Sequence, residues 1–201
     1  LGFNRLSFGV QDFDIDVQKA VHRVQPAEQV FALVAQARRL GFESINVDLI
    51  YGLPKQSPAS FERTLAQVCE LRPDRIALYA YAHLPERFKP QRRIVSADLP
   101  DASAKIAMLS QALQAFMGAG YVYVGMDHFA LPGDALAVAK RQGRLHRNFQ
   151  GYSTQPDCDL IGLGVSAIGR VGATYSQNAK TLDEYCDRLD QGDLPVVRGL
   201  A

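Results

Sequence analysis

The sequence predicts an α/β fold in which parallel strands are covered by helices. Three apolar segments rich in β-branched and aromatic residues, at 5–11, 44–52 and 75–84, are typical of buried strands. Each is followed by a cluster of Pro, Asp or Ser and then by a helical pattern, and this alternation favours a parallel sheet. Because a covered parallel sheet is buried, its strands are expected to be apolar. Open sheets and (β/α) barrels both satisfy the pattern.

The helices between these strands carry recognisable start and stop signals. Residues 26–42 begin with a proline suited to the first turn, repeat apolar residues at helical spacing and finish near a glycine. The next helix is expected to begin after Ser57, a capping residue in front of a proline, and to stop before Pro73. A third helix is predicted over residues 102–119.

Composition narrows the class of protein. The 201 residues carry a net charge of +1 and are 47% hydrophobic, which fits one soluble domain or one large piece of a domain. No basic surface is concentrated enough to indicate a nucleic-acid partner. The sequence shows neither an apolar run long enough for membrane insertion nor a signal peptide, so a cytoplasmic location is expected.

The three cysteines are Cys69, Cys158 and Cys186. Their odd number and wide spacing argue against a disulfide framework and against a self-contained zinc or iron-sulfur site. We expect them to be buried or half-buried small apolar residues. No metal ligands are therefore assigned within this chain.

Polar residues stand where the predicted strands end, which is where ligands bind in sheets and barrels of this kind. Asp48 interrupts an apolar strand, so it either forms a structural ion pair or cap, or accepts a hydrogen bond from a ligand. Gln11 either holds the next loop or binds a ligand. Arg23 is either a solvated surface residue or a bidentate partner for a carboxylate. The basic loop at 87–93 is either solvated or faces an acidic substrate.

Several short motifs, in one order along the whole chain, resemble those of the oxygen-independent coproporphyrinogen III oxidases, which are radical S-adenosylmethionine enzymes of haem biosynthesis. They are NRLSFGVQDF, VDLIYGLPKQSPASF, YAHLP, GMDHFALP, LHRNFQGYST and LIGLGVSAIG. The family implies a partial (β/α) TIM-like barrel with a [4Fe-4S] cluster held by a C-x-x-x-C-x-x-C loop and two S-adenosylmethionine molecules. This sequence lacks that loop. We therefore expect residues 1–201 to be the C-terminal portion of the radical SAM barrel, without the cluster loop and without the C-terminal helical domain.

The resemblance also implies an activity. It is the oxidative decarboxylation of two propionates of coproporphyrinogen III to vinyl groups, which gives protoporphyrinogen IX and requires an electron donor. Residues matched by motif to family contacts with S-adenosylmethionine are Gln11, Arg23, Asp48, Ala82 and Ile168. The parent protein is expected to be a monomer. The piece alone is expected to be inactive and, through an unpaired strand edge, prone to self-association. The alternative is a non-catalytic module of the same family that binds haem or S-adenosylmethionine.

Residues 125–154 combine cationic and aromatic side chains around a short basic helix. A tetrapyrrole with four carboxylates needs cationic donors and flat apolar surfaces, which Phe129, Phe149 and Tyr152 could provide. We hypothesise that this segment lines the substrate end of the barrel, and the alternative is a capped helix whose neighbouring histidines bond to backbone. The residues assigned to the substrate are Asp127, His128, His146 and Arg147.

Overall fold

The structure is a computed structural model that describes residues 2–148, 151–155 and 158–201. The chain divides into two compact units, Leu1–Leu145 and His146–Ala201. Within the described residues, no helix combines the length and the apolar composition that crossing a bilayer requires.

A five-stranded sheet organises the first unit. Its strands are β1 (Arg5–Gln11), β2 (Ser44–Tyr51), β3 (Arg75–Ala80), β4 (Val122–Gly125) and β5 (His128–Ala130), in the spatial order β1-β2-β3-β5-β4. The first three strands run parallel, as predicted, but β5 is antiparallel to both β3 and β4. The sheet is therefore mixed, because only two residues connect β4 to β5 and so short a link forces antiparallel pairing.

The prediction for the third strand was too long at its end. After Ala80 only the amide of Tyr81 still reaches the neighbouring strand, where it donates to the carbonyl of Tyr51 at 2.8 Å. The amide of Leu84 donates to the side chain of Gln91 at 2.5 Å instead. The apolar run thus continues beyond the sheet as a loop.

The predicted helices form with small shifts at their ends. Pro26 is the N-cap of its helix and not a residue of the first turn. Ser57 caps the next helix, as the sequence indicated: its hydroxyl accepts from the amide of Ser60. The Ser60 side chain also accepts from the Ser57 amide, which completes a reciprocal capping box. Two 3-10 turns, Lys89–Arg93 and Ser96–Asp98, lie in the loop after β3. The helices of this unit are α1 (Ile15–Ala20), α2 (Ala27–Arg39), α3 (Pro58–Leu71), α4 (Ala102–Gly118) and α5 (Ala135–Arg141).

The core lies on one face of this sheet. Side chains from α2, α3 and α4 pack against alternate strand residues such as Ile45, Val47 and Ile76, all fully buried. Because side chains alternate between faces along a strand, Asn46 and Asp48 point to the opposite face. We call this second surface, which carries polar side chains and is not part of that core, the open face. The expected apolar character of the strands therefore holds for the face that the helices cover, while polar residues of β2 occupy the other face.

The second unit consists of short antiparallel strands and one helix. Its elements are β6 (His146–Asn148) paired with β7 (Gly151–Ser153), the sheet β10-β9-β8 formed by Val196–Leu200, Thr174–Asn178 and Ile168–Val171, and α6 (Leu182–Asp190). Glycines let two backbones meet here: a Cβ on Gly162 would lie 2.8 Å from the carbonyl of Ile168. The glycine-rich segment LIGLGVSAIG thus serves close backbone packing.

The cysteines differ partly from expectation. Cys69 is half-buried, as predicted, but Cys158 and Cys186 are exposed. Cys186 belongs to α6, a helix with no fully buried residue. The general tendency of free cysteines to be buried therefore does not hold at this position.

Candidate functional site

Strand register places four residues side by side on the open face. Gly9 of β1 pairs with Asp48 of β2, Asp48 pairs with Ala77 of β3, and Ala77 pairs with His128 of β5. Residues paired across neighbouring strands share a face of the sheet. We call Gly9, Asp48, Ala77 and His128 the transverse row. It brings together two residues, Asp48 and His128, that the sequence assigned to different ligands.

Gln11 and Arg23 meet over Gly9, at the first position of this row. A register shift between Gly9 and Gln11 gives β1 a bulge, and Gln11 has a left-handed φ of 66°. The guanidinium Nη2 of Arg23 donates to the Gly9 carbonyl at 2.7 Å. A Cβ at position 9 would lie 2.7 Å from Gln11 Nε2 and 3.0 Å from Arg23 Nη2. Only glycine leaves both side chains room to lie across the strand.

Gln11 also carries an unused acceptor. Its Oε1 is buried and accepts no hydrogen bond from the described residues. A buried acceptor without a donor is unfavourable, so such atoms usually have a partner. A ligand with an N–H or O–H group would supply one.

A pocket of about 410 Å³ opens beside these two residues. Gln11 and Arg23 line it together with apolar side chains, and Arg93 of the first 3-10 turn adds a second guanidinium. This combination suits a ligand with an apolar body and an anionic group. The apolar walls include Val21, Ile50, Leu53 and Ile94.

Asp48 is held by two neutral donors on the open face. Its Oδ1 accepts from Asn46 Nδ2 at 2.7 Å, and its Oδ2 accepts from Ser7 Oγ at 3.2 Å. Asn46 Nδ2 also donates to Ser7 Oγ at 2.9 Å. We call these residues the Ser7–Asn46–Asp48 triangle. Neither an ion pair nor a helix cap involves Asp48 among the described residues, so the structural alternatives considered for it find no support there.

Ala82 lies in the loop after β3, where Gln91 fixes the backbone. The Gln91 side chain donates to the Ala82 carbonyl at 3.0 Å and accepts from the Leu84 amide at 2.5 Å. Tyr81 and His83 pair through their side chains at 3.2 Å. A single amide, itself lining the pocket, thereby holds the loop that contains Ala82.

Asp127 and His128 lie at the β4–β5 turn. The Asp127 carbonyl accepts from the amide of Leu78 at 2.7 Å. His128 meets Tyr79 edge to face, with ring centroids 6.2 Å apart. Burial raises the pKa of the Tyr79 phenol, and the charges of Asp48 and Asp127 raise it further. Tyr79 therefore stays a neutral donor, and the sequence analysis missed it although it follows Ala77 by two positions on the same strand.

The other predicted site residues belong to the second unit. His146 and Arg147 are exposed on β6, paired with Ser153 and Tyr152 of β7. Ile168 begins β8 and pairs with Gln177. Phe149 lies outside the described residues. The first unit thus contains Gln11, Arg23, Asp48, Ala82, Asp127 and His128, and the second contains His146, Arg147 and Ile168.

Asp12, next to the site, has a structural role. It is 1% exposed and accepts from the Thr64 hydroxyl at 2.7 Å, from the Gln56 amide at 2.5 Å and from the Asp14 backbone at 2.6 Å. Burial raises the pKa of its carboxyl, and these hydrogen bonds oppose the rise. Asp12 ties the loop after β1 to α3, so it supports the position of its neighbour Gln11.

Comparison with known proteins first shows a similarity at the level of a superfamily. Residues 1–68 match the family model of the Radical SAM superfamily. The fold agrees: coproporphyrinogen III oxidase from Escherichia coli, a radical SAM enzyme, superposes with a TM-score of 0.91 at 54% identity over 100% of this chain and 46% of that one.

The curated relatives that the chain resembles have a more specific name. The chain is 56% identical over 200 residues to the oxygen-independent coproporphyrinogen III oxidase of Pseudomonas aeruginosa, and 54% identical over 200 residues to that of Escherichia coli. The resemblance indicated by the sequence motifs is confirmed. The chain spans 44% of the length of each of these two relatives.

Proposed function

We propose that the chain is the C-terminal portion of the catalytic barrel of an oxygen-independent coproporphyrinogen III oxidase. The reaction would be the oxidative decarboxylation of two propionates of coproporphyrinogen III to vinyl groups, yielding protoporphyrinogen IX. Identity of 54–56% over 200 residues to enzymes of that name supports the assignment. The observation that carries it is the meeting of Gln11 and Arg23 over Gly9 at the carboxyl end of β1.

The helices of the first unit pack on one face of its sheet, and this arrangement supports the proposed barrel. The strands β1, β2 and β3 are adjacent in chain order, and their core-forming helices pack on one face. An open parallel sheet carries helices on both faces, whereas a barrel carries them only outside. The polar open face would then line the interior. The unpaired edges of β1 and β4 would allow the separate piece to associate with itself.

The residues predicted to contact the cofactor fit S-adenosylmethionine chemically. The Arg23 guanidinium suits the methionyl carboxylate, and the free acceptor of Gln11 suits an amino or hydroxyl donor. Asp48 would accept from hydroxyl or ammonium groups, while Ala82 and Ile168 would offer backbone contacts. These residues would serve two molecules of the cofactor, which together with a [4Fe-4S] cluster supplies the radical chemistry of hydrogen abstraction.

The cluster would be bound by another part of the protein. The described residues contain no group of three His, Cys, Asp or Glu side chains that could hold a metal ion. The role of this chain would be to orient the cofactor and exclude water from it. An electron donor would complete the reaction, and the protein would act as a monomer.

For the substrate, we propose contacts from Asp127, His128, His146 and Arg147. His128 stands on the open face beside Tyr79, where an imidazole and a phenol could donate to a propionate. Arg147 is exposed on β6, and its guanidinium could bind a carboxylate bidentately.

The test uses the full-length protein with its cluster reconstituted under anaerobic conditions. We expect about four irons per chain, conversion of coproporphyrinogen III to protoporphyrinogen IX, and a large loss of S-adenosylmethionine affinity in Arg23→Ala. Arg63→Ala is the matched control, because Arg63 of α3 pairs with Asp14, the N-cap of α1, away from the pocket. A protein that binds S-adenosylmethionine or haem but neither iron nor substrate would instead support the non-catalytic module.

A further inference from the structure

The Ser7–Asn46–Asp48 triangle is a closed set of hydrogen bonds on the open face. Three distances define it: 2.7 Å from Asn46 Nδ2 to Asp48 Oδ1, 3.2 Å from Ser7 Oγ to Asp48 Oδ2, and 2.9 Å from Asn46 Nδ2 to Ser7 Oγ. Ser7 and Asn46 are paired in the strand register, and Asp48 follows Asn46 by two positions on the same face. The sheet itself therefore holds all three side chains within reach of one another.

The direction of each hydrogen bond is determined by chemistry. Asn46 has two amide protons, and one goes to Asp48 while the other goes to Ser7. The Ser7 hydroxyl, having accepted from Asn46, gives its own proton to Asp48. The opposite orientation of the amide would place the oxygen of Asn46 against a carboxylate, which is repulsive. Every polar proton of the Ser7 and Asn46 side chains is thus used. Two of these three protons go to Asp48, and the third links Asn46 to Ser7.

We infer that Ser7 and Asn46 are positioning residues, which hold the Asp48 carboxylate in one orientation for a ligand on the open face. The terminal torsion of an aspartate is broad, so a carboxylate without such donors would rotate. Fixing it before the ligand arrives lowers the ordering cost of binding. Each carboxylate oxygen still has a lone pair beyond the one that the triangle occupies.

The chemistry of these remaining sites defines the ligand group. A carboxylate only accepts, so its partner must present O–H or N–H groups, such as neighbouring hydroxyls or an ammonium. S-adenosylmethionine has both. The inference rests on the proposed function of Asp48 in binding that cofactor. It adds Ser7 and Asn46 as the residues that orient the Asp48 carboxylate toward the cofactor.

The experiment measures equilibrium binding of S-adenosylmethionine to the full-length protein by titration calorimetry, with steady-state kinetics as a second readout. The variants are Ser7→Ala, Asn46→Leu, the hydroxyl-retaining Ser7→Thr, and Asp48→Asn as reference. Ser103→Ala is the matched control, since its hydroxyl also donates to a carboxylate, that of Asp101 at 3.1 Å, but at the start of α4.

We expect the Kd for S-adenosylmethionine to rise about five- to tenfold in Ser7→Ala and Asn46→Leu. This is the size of losing one ordinary hydrogen bond and less than the loss of a direct bond to a charged group, because the variants leave the Asp48 carboxylate present but free to rotate. The KM for the cofactor should rise with it, while kcat at saturation and the KM for the tetrapyrrole stay within about twofold, as for lost uniform binding. Ser7→Thr should restore the wild-type Kd. The melting temperature of each variant, compared with Ser103→Ala, shows that the fold is intact.

Three results would count against the inference, and they are distinguishable. If Asp48→Asn weakens cofactor binding while Ser7→Ala and Asn46→Leu do not, Asp48 binds without help and the proposed function stands. If Asp48→Asn leaves the Kd unchanged, the assignment of Asp48 to the cofactor fails as well. A failure of Ser7→Thr to rescue Ser7→Ala would also count against a role for the hydroxyl.

Discussion

Replacing Gly9 by alanine would test the geometry of the site directly. The added Cβ would lie 2.7 Å from Gln11 Nε2 and 3.0 Å from Arg23 Nη2, closer than side-chain atoms normally approach. Both neighbours are the ends of flexible side chains, so they can move while the strand stays in place. The Arg23 hydrogen bond to the Gly9 carbonyl, 2.7 Å long, would be strained or lost.

Gly9→Ala is expected to change the affinity for the cofactor much more than the stability of the fold. Because Arg23 is exposed, its hydrogen bond contributes less than is usual for a charged donor, about 1 kcal/mol. Alanine in an extended strand recovers about 0.4–1 kcal/mol by restricting the unfolded chain. The free energy of unfolding should therefore change by less than about 1 kcal/mol. Displacing both Gln11 and Arg23 should weaken S-adenosylmethionine binding by about two hydrogen bonds, or roughly 10- to 100-fold.

Titration calorimetry measures the Kd, and thermal unfolding measures stability. Gly118→Ala is the control, because a Cβ there meets no atom within 4 Å and lies at the end of α4. Unchanged cofactor affinity in Gly9→Ala would refute the argument that glycine makes room for the two ligand-binding side chains. A large loss of stability would show that the strand, and not the site, needs this glycine.

Three further predictions follow from contacts near the site and at the opposite end of the strands. Gln91→Ala should release the Ala82 loop and raise the Kd for S-adenosylmethionine by about three- to tenfold. An unchanged Kd would show that the Gln91 side chain does not hold this loop for binding. Because the folded-state pKa of Asp12 is raised, the folded state binds more protons, so Asp12 makes stability fall as pH rises above 3.8. Chemical unfolding from pH 3.5 to 7 should show this contribution to the pH dependence, at most about 1.4 kcal/mol per pH unit, in the wild type and not in Asp12→Asn. An identical pH dependence in the two proteins would contradict the prediction. Asp134→Ala leaves the Arg75 side chain, which is only 12% exposed, without its partner at 2.9 Å and should destabilise the fold by about 3–5 kcal/mol in the same assay. A loss below about 1 kcal/mol would mean that the pair contributes little.

The sequence was most informative where one local pattern determines the structure. Residues 5–11 form β1 with the predicted bounds, and the Ser57 cap forms as expected. The hairpin of β4 and β5 was not predicted, because its turn at Met126 and Asp127 lacks the Asn-Gly type of signal that identifies tight hairpins. Met126 adopts a left-handed φ of 47° without that signal.

In the site, too, the sequence indicated individual residues but not the contacts between residues that are distant along the chain. Motif resemblance selected Gln11, Arg23 and Asp48, but it could not indicate why Gly9 must be glycine, since the crowding comes from Arg23, 14 positions away. Asn46 was visible in the segment INVDLIY, where polar residues occupy alternate positions. That alternation indicates a strand with one polar face, and it was treated as a single interruption of an apolar run.

The transverse row has a consequence for how this chain can vary in length. Its members come from four strands, and each reaches the open face only because its position in the strand has the right parity. Deleting one residue within β2 would turn Asp48 inward and bring Val47 or Leu49 to the surface in its place. Extra residues in the connections cost little, since loop closure depends weakly on length. Insertions and deletions should therefore collect between the strands, while the strands themselves keep a fixed count.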